Sequence, residues 1–207
     1  MAAVLMAWSV AQVRGTIPPL MVILAGMVVS SLFSALVSLV KYAADPQDVL
    51  PSITYWLMGS MASTTRTTLL MGAPFIIAGS LLLFLLRWKL NTMSLPEDEA
   101  KSLGIPVKRI RSLVILGAAM VTAAVVSMCG QIGWVGLLIP HMVRMIFGND
   151  NRSVVPASMA SGALFMLIID TAARSVMATE IPVSILTSLI GAPCFILLLR
   201  KTGGIRL

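Results

Sequence analysis

The sequence predicts an all-α fold, a polytopic transmembrane helical bundle of about six spans, with a partial helix at its N-terminus and short helices on its cytoplasmic and outer surfaces. Three observations predict it. Hydrophobic residues make up 58% of the 207 and charged ones only 11%, where soluble domains carry roughly 45–50% and about 25%; the mean hydropathy is +0.97. The apolar residues gather in runs close to the ~20 that a helix needs to cross a bilayer. Lysines and arginines fall between those runs in an uneven pattern, as positive-inside topology requires.

Taken in order, residues 1–13 are apolar but too few to cross at ~1.5 Å per residue, and read as the tail of a helix. Residues 20–39 make the first full span. The stretch 43–66 is an outer loop whose ITYWLMG run, between Pro51 and Gly59, reads as a short helix lying at or dipping into the surface. Spans follow at 69–86, 113–128 and 154–177, the last interrupted only by Asp170 and Arg174. Two shorter runs, 133–147 and 185–199, count as spans where they are short or partly shielded by protein. With the loop 87–111 inside, Arg14, Arg87, Lys89, Lys101, Lys108, Arg109, Arg111, Arg144, Arg152, Arg200, Lys201 and Arg206 share one side, and Lys41, Arg66 and Arg174 the other. Twelve against three puts the C-terminus in the cytoplasm. Small residues at Gly117, Ala118 and Ala119, at Ala157, Ser161 and Gly162, and at Gly130, Gly133 and Gly136 suit close helix packing in lipid, as in any polytopic bundle.

Composition also excludes functions. The net charge of +7 has no basic run interleaved with stacking aromatics, so nucleic acid is not a partner. Cys129 and Cys194 both sit in apolar stretches and His141 is the lone histidine, so neither a disulfide framework nor a Cys/His metal set can be assembled, and no cofactor is expected. An intramembrane serine protease would need glycine where Met159 precedes Ala160, Ser161 and Gly162. No His-Glu-x-x-His and no Gly-rich phosphate loop ending in Gly-Lys-Ser or Gly-Lys-Thr occurs, so the chain is not expected to be an enzyme.

Three constellations remain. In the inner loop NTMSLPEDEAKSLGIPVKRIR, Ser94 precedes Pro96, Glu97, Asp98 and Glu99, with Lys101 near the end and Gly104 as the stop. This predicts a helix of about two turns, too short to persist in water without a packing partner; a solvated connector is the alternative. In GQIGWVGLLIPHMVRMIFGND, residues 130–150, Gly130 and Gly133 break the chain and Pro140 interrupts a new helix, leaving carbonyls that the His141 ring can cap. Third, Asp170 and Arg174 lie one turn apart inside a span, where each charge costs about 2.5–3.5 kcal/mol. At ~1.5 Å per residue from Val154 they come near the outer surface; they either anchor the helix end as an i,i+4 pair or offer Arg174 to an external partner.

The segments ILAGMVVSSLFSAL, ITYWLMGSM, SLPEDEAKSLGIPVKRIR, GQIGWVGLLIPHMVRMIFGND, DTAAR and EIPVSILTSLIGAPCFILLLR, in this order and spacing, resemble the permease subunits of ABC importers for iron-siderophores, haem and vitamin B12, the FecCD-type family. The resemblance covers nearly the whole chain, 1–207, as a single transmembrane permease domain matching the last six or so of the family's ten helices, which implies a truncated chain. It implies a multi-pass protein of the bacterial cytoplasmic (inner) membrane, working as a permease dimer with two cytoplasmic ATP-binding subunits and a periplasmic or lipid-anchored substrate-binding protein. The family's ATPase-coupling helix corresponds to Pro96, Glu97, Asp98, Glu99, Ala100, Lys101, Ser102, Leu103 and Gly104, with Pro96 standing where many relatives have glycine. The arginine that receives an acidic residue of the binding protein corresponds to Arg174. The gate corresponds to the turn 15–20, including Pro18, Pro19 and Leu20, where some relatives have hydroxyls in place of the prolines; the translocation path runs by Ser30, Ser31, Ser34, Tyr55 and Trp56. A secondary transporter or channel is the alternative, although Asp170 is its one ionisable candidate and lies too near the edge. A non-transporting membrane fragment is the third reading.

Overall fold

A computed structural model describes residues 2–11, 19–62, 64–94, 97–176 and 180–201, without the side chains of residues 2, 8, 19, 94, 97, 98, 101, 199 and 201. The chain divides into two compact units, Met1–Tyr55 and Trp56–Leu207.

In the first unit, α1 (Ala2–Ala11) packs against α2 (Pro19–Ala43). Ala11 and Ala25 are buried together with Val22 against them, small side chains that let two apolar helices approach. Proline at the first position of α2 suits a site whose N–H would have no helical partner, and Lys41 complements the dipole in the last turn. After α2, Asp45 makes an Asx turn: its Oδ1 accepts from the backbone N–H groups of Gln47 at 2.8 Å and Asp48 at 3.3 Å. The turn leads into α3 (Val49–Leu57), the short helix expected from ITYWLMG, none of whose residues is buried.

The second unit contains α4 (Arg66–Leu90), a 3-10 turn (Asn91–Ser94), α5 (Glu97–Ser102), α6 (Val107–Cys129), α7 (Val135–Phe147), α8 (Asn151–Ser175) and α9 (Val183–Lys201). Thr65 and Thr68 form a reciprocal capping box at the start of α4. The α4 and α6 backbones come close where glycines face each other, since a Cβ on Gly79 would lie 2.7 Å from the Gly117 carbonyl oxygen. Gly117 thus has the packing role its sequence neighbourhood suggests, whereas Gly133 and Gly136 have nothing within 4 Å of a Cβ. The break after α6 falls on Gly130, at φ 72° and ψ −165°, a conformation open only to glycine. The next turn is completed by Trp134 at φ 69° and not by Gly133.

Helix α7 runs unbroken through Pro140. His141 does not cap the carbonyls freed there: its Nε2 is buried without a hydrogen-bond partner, and its ring packs edge-on against Phe195, centroids 6.0 Å apart. The α7–α8 contact is built from Ile139, Val143 and Val154, and the α8–α9 contact from Ile169, Ala173 and Val183. These cores are small. Four helices, at 20–43, 66–93, 107–129 and 151–175, are long and apolar enough to cross a membrane, yet only 11–17% of each is buried within the chain. Helices α7 and α9 are apolar but shorter. The exposed leucines, isoleucines and phenylalanines of these helices therefore need lipid or protein as their solvent.

Candidate functional site

Two polar clusters lie at opposite ends of α8, which at ~1.5 Å per residue is about 37 Å long. At its N-terminal end, Asp150 is the N-cap, its Oδ1 accepting from the Arg152 backbone N–H at 2.9 Å. The same oxygen accepts from Asn91 Nδ2 at 2.6 Å, while Asn91 Oδ1 accepts from the Asn151 backbone N–H at 2.8 Å. Arg144, in the last turn of α7, donates to Asn151 Oδ1 at 3.0 Å. The Arg152 guanidinium lies over the Trp88 ring, 3.8 Å from its centroid. The Arg152 backbone N–H, then the Asn91 amide and the Arg152 charge hold the Asp150 carboxyl below its ordinary range, so it stays ionised at neutral pH. This junction ties the ends of α4 and α7 to the start of α8.

At the other end of α8, Arg174 donates from Nε to Asp170 Oδ2 at 3.0 Å and from Nη2 to Asp170 Oδ1 at 3.1 Å, a bidentate pair across one helical turn. Glu180 lies on the same guanidinium, its Oε1 3.7 Å from Nε. Glu180 Oε2 accepts from the Ser60 hydroxyl at 3.4 Å, and the Ser60 backbone N–H donates to the Cys129 carbonyl at 2.9 Å. Val183 N donates to the Gly59 carbonyl at 2.9 Å and Ser184 Oγ to the Met58 carbonyl. The side chains of Asp170 and Glu180 are about one fifth exposed and that of Arg174 is 50% exposed. Two carboxylates thus aim one guanidinium outward, and the cluster fastens α8 to the loop 58–62 and the turn after α6.

Of the inner-loop residues, Pro96 lies outside the described set, and α5 extends from Glu97 to Ser102, just under two turns at ~3.6 residues per turn. Its end is a Schellman-type stop: Ile105 N donates to the Ala100 carbonyl at 3.1 Å, with Gly104 at φ 72°. Ala100 is 1% exposed and Leu103 is 67% exposed. Glu99 and Ser102 are exposed as well, so the outward side of α5 carries Glu99 and Ser102, with Leu103 in the turn that follows. Glu97, Asp98 and Lys101 contribute backbone here, their side chains lying outside the described set. In the first unit, residues 12–18, with Pro18, lie outside the described set; Pro19 opens α2 and Leu20 is exposed. Ser30, Ser31 and Ser34 are exposed on α2, and Tyr55 is exposed on α3. Trp56, also exposed, belongs to the second unit. Among the described residues no group of three or more His, Cys, Asp or Glu side chains is placed to hold a metal.

Sequence reasoning singled out Arg174 and Asp170 but missed Glu180, Ser60 and Asn91. Glu180 had one available signal, as an acid beside the apolar run of α9. Asn91 had another, as an amide directly after the basic end of α4.

A family model described as the FecCD transport family matches residues 1–201. The chain is 50% identical over 183 residues to the molybdate import system permease protein MolB of Haemophilus influenzae, covering 88% of this chain and 54% of that protein. It is 37% identical over 193 residues to the cobalamin import system permease protein BtuC of Halobacterium salinarum, covering 93% and 52%. Among solved structures it is similar to a chain described as a metal-chelate type ABC transporter in an inward-facing conformation, with a TM-score of 0.86 and 48% identity over 88% of this chain and 59% of that one. The chain spans about half the length of the curated relatives it matches. With a family match from end to end of the helical region and relatives that are themselves permeases, the chain belongs to the FecCD transport family.

Proposed function

We propose that this chain serves, as one transmembrane domain over 1–207, in the membrane-spanning permease of an ABC importer. The observation that carries this reading is the match to the family over residues 1–201, which takes in both α5 and the Arg174 cluster. The permease resides in the bacterial cytoplasmic membrane with its C-terminus inside, as the twelve-to-three distribution of Lys and Arg favours. It pairs with a second permease subunit, which gives the exposed apolar surface of α2 and α3 a protein neighbour in addition to lipid. A cytoplasmic ATP-binding subunit receives the outward side of α5 and Leu103 in the turn after it. A substrate-binding protein docks at the opposite face on Arg174, which Asp170 and Glu180 already hold in place.

No bond is made or broken in this chain. Inward-open and outward-open packings exchange, and ATP binding in the partner shifts their balance through contacts that differ between the two. The cargo is a metal chelate or metal oxyanion: an iron-siderophore, haem or cobalamin-type complex by resemblance, or molybdate as named for the Haemophilus relative. The gate at Pro18, Pro19 and Leu20 and the path by Ser30, Ser31, Ser34, Tyr55 and Trp56 are the positions where selectivity would be set.

The test is uptake into proteoliposomes holding the permease, its ATPase and its binding protein, offered ferric siderophore, haem, cobalamin and molybdate in turn. ATP-dependent accumulation of one of them is expected. Accumulation without ATP, driven by a proton or sodium gradient, would replace the importer reading with a secondary transporter.

A further inference from the structure

We infer that Asn91 is a positioning residue of the transport cycle: its side chain links the coupling segment to α8, so that displacement of α5 reaches the docking end of the molecule along that helix. The inference rests on the permease reading above. Asn91 is both the C-cap of α4 and the first residue of the 3-10 turn that leads to α5. Its amide uses both of its atoms, the Nδ2 donating to Asp150 and the Oδ1 accepting from Asn151 N, at 2.6 and 2.8 Å. The amide does both at once from two separate atoms: a carboxylate would face Asp150 without a proton to give, and alanine offers neither group.

Asp150 in turn caps α8, and that helix continues to Ser175 with Asp170 and Arg174 in its last turns. The link is therefore short at one end and stiff beyond it. Trp88 stacked under Arg152 adds a second tie between α4 and α8, and Arg144 on Asn151 brings α7 to the same junction. The Asn91–Asp150 bond is exposed to solvent, where water competes for both groups. Its value is geometric, fixing where the root of the coupling segment sits relative to α8.

The experiment compares Asn91→Ala, Asn91→Asp and the swapped pair Asn91→Asp with Asp150→Asn, each in the permease reconstituted with its ATPase and binding protein. Three quantities are read: ATPase affinity, the stimulation of ATP hydrolysis by the binding protein, and uptake per ATP. Both single variants should bind the ATPase with unchanged affinity and lose about tenfold in stimulation and uptake, within the range of allosteric coupling. The swapped pair should recover most of that loss, because asparagine still caps α8 and now donates to the carboxylate at position 91. Single variants that couple like wild type would overturn the inference alone. So would a loss of uptake that merely follows a loss of ATPase affinity, or a swapped pair no better than Asn91→Asp. A wild-type permease that recruits no ATPase overturns the permease reading, and this inference with it.

Discussion

Arg174 illustrates how a charge persists at the end of an apolar helix. Asp170 satisfies two of its N–H groups and Glu180 approaches from the neighbouring segment, while half of the side chain stays exposed. If that guanidinium receives an acidic group of a binding protein, Arg174→Glu should weaken docking by about tenfold or more, since three carboxylates then meet a fourth. The chain should still fold, with some loss of stability because Asp170 and Glu180, about one fifth exposed, lose their counter-charge. Affinity of the binding protein and thermal stability, measured on the same purified variant, separate docking from helix anchoring. At α5 the two candidate contact residues behave oppositely. Leu103→Asp should lower ATPase affinity and leave the permease folded, because the side chain is exposed. Ala100→Asp should cost about 3–5 kcal/mol of permease stability, as it buries an unpaired charge within the chain. Pull-down of the ATPase beside a denaturation curve distinguishes the two; equal loss of binding with equal stability would remove the distinction.

Among the elements, the α4–α6 pair depends on glycine at one crossing. A Cβ on Gly79 would meet both the Gly117 carbonyl oxygen and Val121 Cγ2 at 2.7 Å, and backbone cannot yield as a flexible side chain can. Gly79→Ala should therefore lower stability by about 1–3 kcal/mol, the range of overpacking. Gly136→Ala in α7, where nothing lies within 4 Å, should be neutral or stabilise by up to about 1 kcal/mol through helix propensity. Thermal unfolding of both variants in one detergent checks the contrast. Gly130 belongs with Gly79 for a different reason, its positive φ with ψ near −165° and its approach to the Trp56 carbonyl.

For the whole molecule, the alternation of spans makes a topological prediction. With Cys129 and Cys194 replaced by alanine, a cysteine at Asp48 should react with an impermeant thiol reagent added outside intact cells, and one at Ser102 only after the membrane is opened. Both positions are exposed, so accessibility within the chain does not confound the result. Labelling of both from outside would abolish the positive-inside assignment, and labelling of the cysteine at Ser102 alone from outside would invert it. The small fraction of each span buried in the chain also explains why lipid or partner helices are part of the folding solvent here.

Length and composition of the apolar runs, and the sorting of lysine and arginine between them, were enough to establish an all-helical membrane protein and the place of each long helix. Those properties are local: a bilayer demands about twenty apolar residues whatever the chain's neighbours are. Gly104 marked a helix end for the same reason, since a cap acts within a few residues of itself. The direction each helix turns was not legible. A helix that is apolar all round carries no contrast between its lipid face and its packed face, so only contacts reveal that His141 meets Phe195 and not a freed carbonyl; α5, EDEAKS, is too short for a periodicity to show that Ala100 is buried while Leu103 just after it is exposed. The polar junctions were equally hidden, because Asn91 reaches Asp150 across 59 residues and Ser60 reaches Glu180 across 120. No periodicity records such pairings; the packing of α4, α6, α8 and α9 brings them together, and in doing so places one polar cluster at each end of α8.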